Sequence, residues 1–127
     1  MQTHQGSCHC GKVRFEMDTD LAYVVRCNCS FCVRRGATLH PVLPENFRIL
    51  AGAPGEPGGA RTYGSGIFIH HFCPNCGIHC FSLQNGKGRF ESRVNVNMGC
   101  FEPSLLEGLT PLEFDGASMP ADSRLWE

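Results

Sequence analysis

Alternating hydrophobic and polar residues predict that the chain folds into short β-strands. Val13 to Met17 alternates apolar with polar side chains, which is the pattern of a strand with one face on a hydrophobic core. Tyr23 to Arg26 and Phe47 to Leu50 are further runs rich in residues that favour strands. Each run spans only a few residues, so we expect many short strands rather than a few long ones.

The stretch from Phe90 to Met98 alternates in the same way. Its apolar residues would share one face of a strand, and they are Val94, Val96 and Met98. Its polar residues would share the opposite face, and they are Arg93, Asn95 and Asn97. That polar face is a candidate lining for a functional site.

A β-hairpin is predicted around a turn at Gly77. Ile67 to Phe72 has strand character before the turn, and Cys80 to Leu83 resumes it afterwards. His70 and His71 lie in the first of these strands, where alternation sends neighbouring side chains to opposite faces. At most one of the two histidines is therefore expected to face a given site.

Helices contribute little to the predicted fold. Cys29 to Arg35 and Pro103 to Glu107 could each hold a helical turn but not an ordinary helix. Ala51 to Ala60 is rich in glycine and proline and has no periodicity, which is typical of a mobile loop. Eight prolines and fifteen glycines fit many tight turns, so we expect a mainly β fold with few helical turns.

Length and charge narrow the classes of function. With 127 residues, a single domain over residues 1–127 is expected. The 11 basic and 12 acidic residues give a net charge of -1 without a run of like charges, which disfavours nucleic-acid binding because phosphates are bound by clustered basic side chains. No apolar stretch approaches the roughly 20 residues that span a bilayer, and the polar start from Met1 to Gly6 lacks the apolar region of a secretory signal. We therefore expect a cytoplasmic protein with no membrane partner.

Cysteine is the residue type in greatest excess, with nine copies. The reducing interior of a cell disfavours stable disulfides, and an odd count would leave one thiol over in any fully paired framework. Metal ligation is the natural alternative. Seven of the cysteines fall in three clusters, which are Cys8 to Cys10, Cys27 to Cys32 and Cys73 to Cys76.

The segment from Cys73 to Gly77 has the spacing of a zinc half-site. A Cys-x-x-Cys turn followed by glycine lets Cys73 and Cys76 direct two thiolates to one tetrahedral ion at about 2.3 Å. Cys8 and Cys10 are the obvious complement that would complete a structural site. A small core gains much of its stability from such an ion, so chelation is expected to unfold the protein.

Cys27, Cys29 and Cys32 offer three thiolates within six residues. Three ligands can hold zinc with one coordination position open, where a water or a substrate thiol would become a nucleophile near neutral pH. Two other interpretations remain open. The site could be closed by Cys80, Cys100 or a histidine, and the clusters could all be structural ligands or inert core thiols.

Four further residues are candidates of lower specificity. Cys80 and Cys100 lie outside the three clusters; a packed core thiol is the commoner fate of such residues, and Cys100 is the better ligand candidate of the two. Arg34 and Arg35 directly follow the three-cysteine cluster. They could clamp the carboxylates of a substrate, although a solvated turn is the commoner place for such arginines.

The order of these motifs resembles the glutathione-dependent formaldehyde-activating family, also called the centromere protein V domain. Gly6 to Phe15 is similar to the opening signature of the family, Cys27 to Gly36 to its central cluster, and Phe72 to Gly77 to its second zinc half-site. Val94 to Gly116 is similar to its closing strands, so the resemblance covers about residues 6–116.

The resemblance implies a small zinc-stabilised β-tent fold of short antiparallel strands with two zinc ions per chain. A structural zinc would be held by Cys8, Cys10, Cys73 and Cys76. A catalytic zinc would be held by Cys27, Cys29 and Cys32. The activity of the family joins formaldehyde to glutathione as S-(hydroxymethyl)glutathione, a carbon-sulfur lyase reaction, so the implied partner is a small-molecule thiol.

Three functions remain open from the sequence. The three-cysteine cluster beside paired arginines favours an enzyme that acts on glutathione or a similar thiol with formaldehyde or another small aldehyde. The same clusters, taken as purely structural ligands, favour a noncatalytic zinc-binding module that binds a protein partner. Nucleic-acid binding is suggested only by zinc and is opposed by the charge. The loop from Ala51 to Ala60 and the additional thiol of Cys80 depart from the family pattern and could reshape a pocket.

Overall fold

The computed structural model describes residues 1–65, 68–84 and 92–118. Within these residues the chain forms ten short strands in two sheets, one α-helix and four 3-10 turns. The mainly β fold predicted from the alternation is therefore confirmed. None of the helices in the described residues has the length and apolar character needed to cross a membrane.

The smaller sheet is antiparallel and has the strand order β1-β2-β5. Its strands are β1 (Gln2–Ser7), β2 (Arg14–Thr19) and β5 (Phe47–Ala51). The alternation predicted for β2 is present, since Phe15 and Met17 are fully buried. On the other face, Arg48 forms ion pairs with Glu16 at 2.9 Å and Asp18 at 2.8 Å. Exposed pairs of this kind contribute little to stability, so the sheet is held mainly by its buried face.

The larger sheet has the order β10-β3-β4-β9-β8-β7-β6 within the described part of the chain. Its strands are β3 (Val25–Cys27), β4 (Leu39–Val42), β6 (Arg61–Ser65), β7 (Phe68–Phe72), β8 (His79–Gln84), β9 (Val94–Asn97) and β10 (Leu112–Phe114). Neighbouring strands are antiparallel except β10 and β3, which run parallel. This parallel pair places Phe114 beside Cys27.

The hydrophobic core lies between the two sheets and is centred on aromatic rings. The ring of Phe15 in the smaller sheet packs 5.4 Å from that of Phe81 in the larger sheet and 5.6 Å from that of Phe101. Edge-to-face ring pairs contribute about 0.5–1.5 kcal/mol beyond burial. These contacts fix the sheets against each other, and so they position Cys8, which follows β1, and Cys73, which follows β7.

The predicted hairpin and the predicted alternation of β9 are both present in the described residues. β7 and β8 are antiparallel neighbours. The side chains predicted to face the core are buried, and they are Val94, Val96 and Met98. The alternate side chains are half-buried, and they are Arg93, Asn95 and Asn97. The predicted strand residues Ile67, Phe90 and Glu91 lie outside the described residues.

Both predicted helical turns are found. The α-helix α1 (Ser30–Arg35) follows β3, and a 3-10 turn covers Pro103–Leu106. The glycine- and proline-rich loop begins at the end of β5 and consists of consecutive turns. Its ends are joined by a hydrogen bond from the Ala60 amide to the Gly52 carbonyl at 2.8 Å. The loop is thus a closed structure with defined hydrogen bonds, beyond what its composition predicts.

Candidate metal centres and the adjoining cleft

Two turns bring four cysteines together at one end of the sheets. Cys8 and Cys10 lie in the connection between β1 and β2, and Cys73 and Cys76 lie between β7 and β8. Their Sγ atoms all lie within 4.8 Å of one another, with Cys10 at 3.6 Å from both Cys8 and Cys73. Four sulfurs at about 2.3 Å from a tetrahedral zinc would be separated by about 3.8 Å. The donor set and its spacing therefore fit zinc.

Backbone amides point at these sulfurs and favour their thiolate forms. The amide of Val13 donates to Cys8 Sγ at 3.3 Å. Hydrogen bonds from the Asn75 side chain and then from the Lys12 amide lower the pKa of Cys10 to about 6. Burial raises the pKa of Cys8 to about 11. Without a metal, Cys10 therefore loses its proton before Cys8 does. Donors around the sulfurs are typical of the outer shell of a zinc site.

The second cluster is built by the end of β3 and the start of α1. Cys27 ends β3, Cys29 caps the helix and Cys32 lies in its first turn. Their Sγ atoms lie within 4.8 Å of one another, and Cys29 Sγ accepts from the Cys32 amide at 3.4 Å. Among the described residues, no further His, Cys, Asp or Glu side chain joins this group. The cluster therefore offers a metal three protein ligands.

The three thiols interact strongly with one another. Hydrogen bonds from Cys27 and then from Cys32 lower the pKa of Cys29 to about 2. Hydrogen bonding to Cys29 raises the pKa of Cys27, and hydrogen bonding to Cys27 raises that of Cys32. The guanidinium of Arg35 lies beside the group, with Nη2 at 2.8 Å from Cys32 Sγ. One negative charge thus resides on Cys29, and the guanidinium of Arg35 donates a hydrogen bond to the neighbouring Cys32 sulfur.

A segment near the C-terminus covers the three-cysteine cluster. Asn28 donates its backbone amide to the Phe114 carbonyl at 3.2 Å and its side-chain amide to Asp115 Oδ1 at 2.9 Å. The Ala117 amide donates back to Asn28 Oδ1 at 2.9 Å. Gly116 is buried between these contacts and packs against Cys27. The loop that carries the cluster is therefore held by residues almost ninety positions away.

A cleft with a volume of about 780 Å³ adjoins the helix that carries Cys32. Its lining includes Phe31, Arg34, Arg35, Tyr63, His79 and Asn97. Both predicted arginines are thus at the cleft, and so is one polar residue of β9. Arg34 is exposed and donates to the Ser30 carbonyl at 2.8 Å. None of the residues of the glycine- and proline-rich loop lines this cleft.

Arg35 belongs to a hydrogen-bonded network on the cleft wall. Its Nη1 lies 3.1 Å from His79 Nε2 and 3.3 Å from Ser82 Oγ. Ser82 Oγ also lies 3.0 Å from His79 Nε2 and 2.7 Å from His70 Nδ1. The sequence interpretation included Arg35 but missed His79 and Ser82. The hairpin register could have indicated Ser82, because this residue is the cross-strand partner of His70.

The histidines of the network are neutral. Burial, and next the charge of Arg35, lowers the pKa of His79 to about 2 and that of His70 to about 4. The His70 ring stacks on Phe31 of α1 with centroids 3.6 Å apart. Its neighbour His71 faces the other way and stacks on Phe81 in the core at 4.7 Å. The predicted division of the two histidines between opposite faces is thus confirmed.

Cys80 and Cys100 pack in the main hydrophobic cluster, whereas the three-cysteine group belongs to a separate, smaller one. Cys80 is fully buried in the main core, and Cys100 packs against that core from the side. Within the described residues neither thiol belongs to a group that could hold a metal. The interpretation of both as packed core thiols fits this placement.

Comparison with known proteins agrees with this arrangement of clusters. Residues 3–113 match the family model described as glutathione-dependent formaldehyde-activating enzyme. A crystal structure of a Rhodobacter sphaeroides protein, determined in a structural genomics programme, is similar with a TM-score of 0.67 and 30% sequence identity. The alignment covers 84% of this chain and 99% of that one. Since the family model spans most of the sequence, the chain belongs to the glutathione-dependent formaldehyde-activating enzyme family.

Proposed function

We propose that the protein adds a thiol such as glutathione to formaldehyde or a similarly small aldehyde, a reaction of the carbon-sulfur lyase type. The observation that carries the proposal is the three-cysteine cluster, which gains no fourth ligand among the described residues. A cleft of about 780 Å³ adjoins helix α1. Helix α1 connects the two, because it contributes Cys32 to the cluster and Arg34 and Arg35 to the cleft.

The proposal assigns two zinc ions to each chain. The ion held by Cys8, Cys10, Cys73 and Cys76 would have a complete set of protein ligands and a structural role. The set formed by Cys27, Cys29 and Cys32 leaves one position for a substrate. Zinc bound there would supply the positive charge that favours the thiolate form of a thiol.

Residues of the cleft would bind and orient the thiol substrate. Arg35 is engaged by Cys32, His79 and Ser82, so recognition of substrate carboxylates falls to the exposed Arg34. A guanidinium can bind a carboxylate through two parallel hydrogen bonds. We assign the activity to one domain over residues 1–127 and to a reducing compartment such as the cytoplasm. A reducing compartment suits the nine cysteines, because all of them are free thiols.

The test combines zinc analysis with turnover. Two zinc ions per chain, one of them released by dialysis against glutathione, are expected for the wild type. Cys29→Ser should abolish turnover of glutathione with formaldehyde while the fold stays intact, and Cys80→Ala serves as the matched control because Cys80 is a core thiol outside both groups. Unchanged turnover in Cys29→Ser would contradict the proposal.

A noncatalytic zinc module is the second candidate. The observation that favours it is the burial of Cys29 and Cys32, which are 0% and 4% exposed, since a shielded ion would be a structural one. This alternative predicts a second zinc that glutathione leaves in place and a protein partner that depends on that zinc. Exchange of the second zinc with glutathione would rule it out.

A further inference from the structure

A hydrogen bond from Arg35 determines which ring nitrogen of His79 carries the proton. Arg35 Nη1 lies 3.1 Å from His79 Nε2. A guanidinium can only donate hydrogen bonds, so Nε2 accepts and is unprotonated. Ser82 Oγ lies 3.0 Å from the same nitrogen, accepts from Arg35 Nη1 at 3.3 Å, and has His70 Nδ1 at 2.7 Å as a partner for its own hydrogen.

This arrangement leaves an N–H donor at His79 Nδ1. The ring is neutral at neutral pH because burial, and next the charge of Arg35, lowers its pKa to about 2. Its single proton therefore lies on Nδ1. That nitrogen is shielded from solvent and meets no hydrogen-bond partner among the described residues. A buried donor without an acceptor is unfavourable and in native proteins points to a bound water, ion or ligand.

The neighbouring arginine carries a second donor of the same kind. Arg35 Nε is also buried without a partner in the described part of the chain. Both side chains line the cleft, and Arg35 Nη2 lies 2.8 Å from Cys32 Sγ. The two side chains that carry the unsatisfied donors thus belong to the wall of the cleft, while the donor atoms themselves are shielded from solvent. Arg35 links His79 to Cys32 of the three-cysteine cluster.

We infer that His79 is a catalytic residue whose Nδ1–H donates a hydrogen bond to the carbonyl oxygen of the aldehyde. The inference rests on the proposed function. Arg35 is a positioning residue in this scheme, because its hydrogen bond to Nε2 keeps the proton on Nδ1. A neutral imidazole is suited to this role, since it donates without releasing its proton.

The hydrogen bond would stabilise charge that develops during the reaction. As the substrate thiolate attacks, a carbon–sulfur bond forms and the π electron pair of the carbonyl moves to oxygen. A preorganised donor shielded from water interacts more strongly with that oxygen as its charge grows. A proton from water then converts the alkoxide to a hydroxyl, and the proton released by the thiol restores the water. Thiol and aldehyde thus give a hydroxyalkyl thioether, and His79 neither gains nor loses a proton.

The shielding of Nδ1 also bears on the size of the aldehyde. An oxygen reaches this buried nitrogen only where side chains on the cleft wall give way. Small carbonyl compounds need the least displacement. The donor is therefore best suited to formaldehyde.

Nitrogen NMR of the zinc-loaded wild type tests the placement of the proton directly. Histidine-labelled protein should show His79 with its proton on Nδ1. The Nδ1–H resonance should shift when glutathione and formaldehyde are added together, and not with glutathione alone. A proton on Nε2, or no shift with both compounds, would overturn the inference, and the latter result is expected if Nδ1 only holds a structural water.

Turnover of two variants, measured above the uncatalysed rate, provides the second test. His79→Leu should lower kcat by about 10²- to 10³-fold with unchanged zinc content, and His79→Gln, which retains an N–H donor, should recover part of the loss. A kcat within threefold of wild type in His79→Leu would overturn the role of His79 and leave the proposed function standing. Absence of turnover in the wild type would overturn both. If His79→Leu fails to fold, the NMR measurement decides.

Discussion

Gly116 packs so closely against Cys27 that a Cβ atom at this position would lie 2.6 Å from the sulfur. Contacts this short do not occur between real side chains, so even alanine would force a displacement. Gly116 lies in the segment held to the three-cysteine loop by Asn28 and Asp115. Because glycine has no side chain, Gly116 leaves room for the Cys27 sulfur in the candidate metal centre.

Gly116→Ala is therefore expected to weaken zinc binding at the three-cysteine cluster. Displacement of Cys27 Sγ should speed zinc release at least tenfold and lower the free energy of unfolding by about 1–3 kcal/mol. Release can be followed with a colorimetric chelator. Gly64→Ala is the matched control, because its nearest neighbour would be an Ile69 atom at 3.8 Å, an ordinary contact. Equal release rates in the two variants would contradict the expected strain.

Arg34→Met is expected to impair recognition of glutathione selectively. Arg34 lies on the rim of the cleft and donates only to a nearby carbonyl in the described structure, so its charge is available to a substrate carboxylate. The variant should raise KM for glutathione about tenfold, since one charged hydrogen-bonded pair contributes about 1.5 kcal/mol or more. KM for 2-mercaptoethanol, which has no carboxylate, should stay the same. A parallel rise for both thiols would assign Arg34 a structural role.

Local spacing predicts both cysteine groups because each half-site is a short turn. The three thiols of Cys27, Cys29 and Cys32 converge through the end of one strand and the first turn of a helix. Such convergence depends on neighbours in sequence, which a spacing pattern reports directly. The pairing of Cys8 and Cys10 with Cys73 and Cys76 can also be predicted from the sequence. A structural zinc needs four ligands, and few other cysteines are left to supply them.

The network around His79 depends on contacts that spacing does not report. The register between β7 and β8 shifts between His71 and Phe72, so a simple alternation misplaces residues beyond that point. The attachment of Asn28 to Asp115 spans 87 positions. Only the three-dimensional fold brings these groups together.

Two strands, β1 and β4, are not predicted by the alternation of buried and exposed residues. β1 (Gln2–Ser7) is an edge strand and is largely polar, so its sequence shows little alternation. Edge strands often carry polar residues because one side lies in solvent. β4 contains Pro41, which disfavours assignment to the interior of a sheet. Tertiary pairing with β9 outweighs that local signal.

Cys73→Ser is expected to abolish zinc binding by the four-cysteine group and to unfold the protein. Cys73 is fully buried within the four-cysteine group, and loss of one ligand removes much of the binding free energy that stabilises a small zinc-dependent core. Zinc analysis and circular dichroism would measure the two effects. Cys80→Ala changes an equally buried thiol outside the group and should retain the zinc at a cost of about 1 kcal/mol. Zinc loss in Cys80→Ala would show that Cys80 supports the metal.

Stability should fall in mild acid because His70 is buried in its neutral form. Burial, and next the charge of Arg35, lowers the pKa of His70 from 6.5 to about 4. Below pH 6.5 the unfolded chain takes up a proton that the folded protein excludes, so the contribution is fully present above pH 6.5 and is lost as the pH falls towards 4. The loss would reach about 2 kcal/mol at pH 5, given 1.36 kcal/mol for each pH unit.

His70→Phe isolates this contribution. The substitution preserves a ring to stack on Phe31, where the centroids are now 3.6 Å apart, and removes the titrating nitrogen. Acid also protonates the thiolates of the cysteine groups, but that effect is common to both proteins. Denaturant unfolding at pH 5 and at pH 7 gives the free energy of unfolding of each protein. Between these two pH values that free energy should fall by about 2 kcal/mol more in the wild type than in the variant. Parallel curves would mean that His70 is protonated in the folded protein as readily as in the unfolded chain, and hence that the cleft wall admits a charge beside Arg35.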